Sequence, residues 1–286
     1  LFPCPVHFIK ATNMKLLCVC LLTIRVSSCM LNDTLDLGYA FDESTVYWPG
    51  MSVFNLSDVE YLEDPYVISK NYYAAEHWGT HLDAPYHFNP NGWTVADIPL
   101  DKLIVPGVVI NKQEAAAMDA DAEVTVQDLM DWEETHGDLP EPVAVIIDFG
   151  WAKKYPNKTE YFGMVNGNMS DIHFPGVSEE AADWLVMSGK VVGVGVDTPG
   201  IDPGVNKQFK AHRLLAAANI YLMENLALEE SALPARGFQL IVMPMKITNA
   251  TGAPLRIVAR LNETSFFSTI WSWFISIWVM ITSHFK

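Results

Sequence analysis

The eleven residues HWGTHLDAPYH, positions 77–87, hold three of the chain's eight histidines and one aspartate, together with Gly79 and Pro85. His77 and His81 are four apart and would share one face of a helix, but Gly79 weakens a helix and Pro85 ends one. An extended segment with a bend is expected instead. Along an extended chain residues two apart point the same way, so His81 and Asp83 converge, and a bend at Gly79-Thr80 brings His77 round to join them. Two imidazoles and a carboxylate form a borderline-to-hard donor set suited to zinc, manganese or iron(II). Three protein ligands leave coordination positions open for water and substrate, the layout of a catalytic site. An ion so held lowers the pKa of bound water from 15.7 toward about 7 and polarises a carbonyl, so hydrolysis is the expected reaction. His87, just beyond the cluster, titrates in the range needed to carry a proton from attacking water to leaving group. The competing reading is a run of packed or exposed histidines that bind nothing.

Half of the 286 residues are hydrophobic, enough for a sizeable core. The formal charge of -16 argues against nucleic acid or anionic lipid as the main partner. All four cysteines, Cys4, Cys18, Cys20 and Cys29, lie near the start, which leaves no disulfide scaffold or thiolate metal site for the rest.

The two ends read differently from the middle. MKLLCVCLLTIRVSSC, from Met14, has the lysine, short apolar run and small residues of a secretory signal peptide. Residues 1–30 are therefore expected to be a leader, with a buried N-terminal element as the alternative. Sequons beginning at Asn32, Asn55, Asn157, Asn168, Asn249 and Asn262 fit passage through the secretory lumen, with an extracellular or membrane-anchored destination. Residues 263–286 form a hydrophobic tail, of which 264–283 carry no charge and are about long enough to cross a bilayer. A transmembrane anchor, a cleaved lipid-anchor signal and a tail without function compete for it.

Between the ends, residues 31–262 show no repeat or linker and read as one domain. Short β-branched runs at 105–110, 143–149, 191–196, 238–242 and 255–261 are expected strands. Helices are expected in TVQDLMDWEETHG, capped by Thr125 and stopped by Gly137, and in SEEAADWLVMSG, capped by Ser178 and stopped by Gly189. The alternation makes this an α/β protein, and turns at Pro106-Gly107 and Asn91-Gly92 are expected to add antiparallel pairing.

HWGTHLDAPYH resembles the His-x-Gly-Thr-His-x-Asp-x-Pro-x-His signature of the metal-dependent cyclase family, which includes bacterial-type kynurenine formamidases and isatin hydrolases. The likeness runs from about Asp36 to Leu261 through YWPG, HFPGVSEEAADWL, VGVDTPGID, FKAHRLL, ENL and GAPLRIVARL. It implies the swivelling β/β/α fold in a single domain and a homodimer or higher oligomer. It also implies metal ligation by His77, His81 and Asp83, proton transfer by His87, and substrate contact by Trp48. A second zinc in that family maps onto His212 and Glu224, so one or two ions, zinc or manganese, are expected per subunit. On one straight helix those two residues would lie about 18 Å apart, so sharing an ion needs a chain reversal, expected at Asn219 between a helix FKAHRLLAAA and a strand IYLMENL. Gly200 departs from relatives that carry serine nearby, which removes a hydroxyl.

The reaction implied is cleavage of an amide C-N bond, arylformamidase-like, turning N-formylkynurenine into kynurenine and formate. The alternatives are isatin hydrolase-like opening of a cyclic amide and a non-catalytic secreted binding protein that kept the fold. Trp48, Trp78, Tyr86 and Phe88 are candidate contacts for an aromatic substrate, although aromatics at this density also serve core packing.

Overall fold

The computed structural model describes residues 34–48, 50–228 and 233–261. The expected leader and the tail from 263 lie outside them, as do the sequons at Asn32 and Asn262. Among the described residues no helix is long and apolar enough to cross a membrane.

In chain order the elements are β1 (Thr34–Asp36), β2 (Asn55–Leu62), β3 (Val67–Tyr73), β4 (His81–Asp83), β5 (Ile104–Asn111), α1 (Gln113–Met118), β6 (Glu123–Val124), α2 (Val126–His136), β7 (Val143–Asp148) and α3 (Lys158–Tyr161). There follow β8 (Gly176–Val177), α4 (Glu179–Met187), β9 (Val191–Val196), α5 (Lys210–Ala217), β10 (Tyr221–Glu224), β11 (Arg236–Pro244) and β12 (Gly252–Leu261). Both predicted helices form. Thr125 caps α2 in a reciprocal capping box with Asp128, and Ser178 accepts from the Ala181 N–H at the start of α4.

The main sheet runs β1-β12-β11-β5-β7-β9-β10-β4, and β12 also pairs with β4. That last pairing closes a seven-stranded barrel, with β1 added outside on β12. β5, β7, β9 and β10 are parallel neighbours, whereas β11, β12 and β4 run antiparallel to theirs. The apolar runs of β7 and β9 are continuous because both of their faces are buried. Val143, Val145 and Ile147 pack outward beneath Leu129 and Trp132 of α2 and Leu185 of α4, while Ala144 and Ile146 fill the barrel with Tyr221, Phe238 and Leu240.

Pro106-Gly107 is not the turn that its sequence predicts. Both residues lie inside β5, where Pro106 faces Gln239 and Gly107 faces Phe238 across β11. Gly107 is there for space, since a Cβ would come within 2.2 Å of the Phe238 ring. Large and small residues alternate to fill a narrow barrel, and the same device recurs at Gly193, whose Cβ would meet the Tyr221 ring at 2.3 Å. Antiparallel pairing is present, but for a different reason: β11 enters beside β5 from far along the chain. Asn91-Gly92 does form a turn, although it joins two single-turn 3-10 helices rather than strands.

The sequence reading missed β2 and β3. They pair with each other as a two-stranded ribbon on which every residue is exposed.

Candidate metal centre

The short strand β4 explains the signature. Leu82 points into the barrel core, which sends His81 and Asp83 together to the outer side. Its neighbours fix what they meet: Glu224 lies opposite His81 on β10, while Gly252 lies opposite Asp83 on β12. The bend falls where it was expected. Gly79 has φ +54, and a Cβ there would strike the Phe41 ring at 2.4 Å, so only glycine fits. His77 thereby swings back to place Nδ1 at 2.6 Å from Asp83 Oδ1. Past Ala84, Pro85 opens a 3-10 turn that carries His87, whose ring stacks on His77 at 3.9 Å between centroids.

The second pair is brought in by the reversal. Asn219 adopts φ +57 between α5 and β10, and the chain doubles back. His212 Nε2 then lies 3.1 Å from Glu224 Oε1 and 3.8 Å from Asp83 Oδ2. His81 Nε2 lies 3.1 Å from Asp83 Oδ1 and 3.5 Å from Glu224 Oε2. Asp83 is thus common to two groups of ligand atoms, one with His77 and His87, the other with His81 and Glu224.

These donors suit a cation. His81, Asp83, His212 and Glu224 are all buried, and His81 Nε2 has no hydrogen-bond partner. Each outward nitrogen of two imidazoles is tied to an acceptor: His81 Nδ1 to the Gly79 carbonyl at 2.9 Å, and His212 Nδ1 to Asp202 at 2.6 Å. Asp202 also accepts the backbone N–H groups of Ala211 and His212. In the neutral rings the inward nitrogens would turn lone pairs toward carboxylates, an arrangement that a bound cation or a second ring proton resolves.

Electrostatics agree. Burial opposes a charge on His81, but the Asp83 carboxylate 3.1 Å away, with the charge of Glu224, outweighs it and pushes its pKa up to about 9. His212 is raised in the same way to about 10, against burial, by hydrogen bonds to Asp202 and Glu224. Burial would raise Asp83, yet His77 and His81 hold it well below the usual carboxylate range. His87 goes the other way: burial lowers it to about 4, so its imidazole is neutral at pH 7.

The centre forms one wall of a cavity of about 290 Å³. Trp48, Trp78, Phe88, Phe162, Phe174 and Phe209 line the rest, as does Gly200. Trp48 meets Phe162 edge-to-face at 5.5 Å. Of the four expected aromatic contacts, Tyr86 does not line the cavity and is exposed instead. Trp78 reaches it, but is otherwise stacked in the core between Phe41 and Phe54. At Gly200 a Cβ would find only ordinary contacts, the nearest 3.5 Å away on Phe174, so the missing side chain leaves room rather than avoiding a clash.

Glu76, Asp202 and Thr251 were not anticipated. Glu76 adjoins the signature and Asp202 lies within the quoted VGVDTPGID, but nothing in their spacing marks them as partners of His77 or His212. Only the fold joins them.

Residues 35–203 match the Cyclase family. The isatin hydrolase of Roseibium aggregatum is 32% identical over 197 residues, 66% of this chain and 73% of that protein. A kynurenine formamidase of Geobacillus thermodenitrificans is 27% identical over 232 residues, 81% of this chain and 99% of that one. The solved structure of isatin hydrolase A from Labrenzia aggregata bound to benzyl benzoate superposes with a TM-score of 0.73 at 31% identity, covering 85% of this chain and 99% of the other. The resemblance first visible in residues 77–87 thus extends over most of the fold, and the chain belongs to the Cyclase family.

Proposed function

We propose that this protein is a metal-dependent hydrolase that cleaves the C-N bond of an amide carried on an aromatic ring. N-formylkynurenine, giving kynurenine and formate, is the first substrate proposed. The observation that carries the reading is the convergence of two buried carboxylates and inward-facing imidazoles, one with an unpartnered nitrogen, on an aromatic-lined cavity. His77, His81 and Asp83 would hold one divalent ion, zinc or manganese, and His212 and Glu224 a second. When bound, such an ion supplies acidified water and a polarised carbonyl.

The chain's own residues do the rest. Trp48 and the phenylalanines hold the aryl group by apolar contact and exclude bulk water from the reacting carbonyl. His87, neutral at pH 7, takes a proton from the attacking water as its oxygen bonds to the carbonyl carbon. It returns that proton to the nitrogen as the C-N bond breaks, so the products are a carboxylic acid and a free amine.

Opening of the cyclic amide isatin is the second reading, favoured by the 32% identity to an isatin hydrolase. It uses the same bond and the same groups. Metal analysis of the purified protein, followed by assay against N-formylkynurenine, isatin, other aryl amides, lactams and lactones, tests both. Turnover of either named amide supports the proposal, whereas a metal-loaded protein that hydrolyses none of the panel favours a binding protein.

We further propose that the protein is secreted, glycosylated and homodimeric. Asn55, Asn157, Asn168 and Asn249 are all exposed, which leaves those sequons open to a glycan. The β2–β3 ribbon exposes Leu56, Val59, Leu62, Val67 and Ile68, and a second copy laid against it would cover them. Enzymatic deglycosylation without a change in gel mobility would count against the first proposal, and a monomer by sedimentation against the dimer.

A further inference from the structure

His77 differs from the other two imidazoles: it turns Nδ1 inward and Nε2 outward. Its Nε2 lies 2.8 Å from Thr251 Oγ1. A threonine hydroxyl has one proton to give, and Thr251 is 2.6 Å from Glu76 Oε2. A carboxylate only accepts, and this oxygen also takes the backbone N–H groups of Thr251 at 2.9 Å and Gly252 at 3.3 Å. The hydroxyl proton therefore points to Glu76. That leaves Thr251 Oγ1 as an acceptor toward His77, so Nε2 must carry a proton, and Nδ1, 2.6 Å from Asp83 Oδ1, is the nitrogen that can exchange its proton for an ion.

We propose that Glu76 and Thr251 form a relay that sets the tautomer of His77, so that Nδ1 is presented to the ion it shares with Asp83. Both are positioning residues, acting through His77 without touching substrate. Without Glu76, the Thr251 hydroxyl is free to donate to Nε2. His77 would then carry its proton on Nδ1 and give it to Asp83 at 2.6 Å, which closes the pair against a cation. The ring's position is fixed independently, because Gly252 lies close enough that a Cβ there would fall 2.5 Å from His77 Cε1. The relay thus selects the protonated nitrogen of a ring already in place.

The proposal rests on the reading that His77 binds a metal, and its test separates the two. Zinc affinity of the full chain is measured by competition with a chromophoric chelator, alongside thermal unfolding. If the wild-type chain binds no zinc, the functional reading itself fails. If it does, Thr251→Val should bind zinc 10–100-fold more weakly, the usual loss when an outer partner of a ligand is removed. Thr251→Ser, which keeps the hydroxyl, should bind within a few-fold of wild type. Glu76→Ala should be weakened although the hydroxyl remains. In the zinc-loaded wild type, imidazole nitrogen NMR should find the His77 proton on Nε2. The relay is overturned if folded Thr251→Val keeps wild-type affinity, if Thr251→Ser is as weak as Thr251→Val, or if the proton is found on Nδ1. Wild-type affinity in Glu76→Ala would likewise overturn the part assigned to Glu76.

Discussion

Replacing His87 by alanine separates proton transfer from metal binding. The ring stacks on His77 at 3.9 Å and faces the cavity rather than the barrel core. Its loss opens a space that water fills, so the stability cost should be about 1 kcal/mol or less. The kinetic cost should be far larger. A positioned acid–base group contributes roughly 10²- to 10⁴-fold, which at about 1.36 kcal/mol per decade is about 3–5 kcal/mol of transition-state stabilisation. Metal content, read by elemental analysis, should stay at the wild-type level while kcat falls by that factor. Loss of metal in His87→Ala would make His87 a ligand and refute the assignment. The pH profile adds a second check. His87 is lowered to about 4 by burial, and a nearby cation pushes it in the same direction. An imidazole accepts a proton only above its pKa, so its contribution to kcat/KM should persist as pH falls through 6.5 and fade near pH 4. An acid limb near 6.5 that vanishes in His87→Ala would contradict this. So weak a base can act only on water that is already acidified, and chelation of the metal should therefore abolish turnover.

Asp83→Asn removes the one carboxylate that both groups of ligand atoms share, so zinc affinity should fall by more than the 10–100-fold typical of outer partners; a chelator titration matching wild type would show that Asp83 is not a ligand. Gly193→Ala places a Cβ at 2.3 Å from the Tyr221 ring inside the barrel and should cost about 1–3 kcal/mol or more. Thermal unfolding should register that as roughly 2–4 °C per kcal/mol, with the unchanged midpoint as the refuting result. Gly200→Ser, by contrast, meets nothing nearer than 3.5 Å and should leave the unfolding midpoint unchanged, while the relative rates on open and cyclic amides report whether a hydroxyl there touches substrate.

Much of the centre could be read before any coordinates. The pattern of residues 77–87 carries its own geometry, because strand alternation puts His81 and Asp83 on one side and Gly79 permits the turn that returns His77. Asn219 marked the reversal that joins His212 to Glu224, since asparagine tolerates the left-handed backbone found there. The β7 and β9 runs announced buried strands. The ribbon of β2 and β3 escaped because its polar and apolar residues do not sort onto a core face, every position being exposed. Pro106-Gly107 misled because a dipeptide that favours turns is here the small-residue side of a crowded barrel pair.

What the sequence determined by itself is therefore local: donor types, their spacing and the bends that aim them, all set by backbone preferences over a few residues. Which carboxylate orients which imidazole was decided only by the closed barrel. Registry between β4, β10 and β12 brings Thr251 to His77 across 174 positions and Glu224 to His81, and α5 packs His212 against Asp202. Such pairings depend on strand order and register, which no short window of residues encodes.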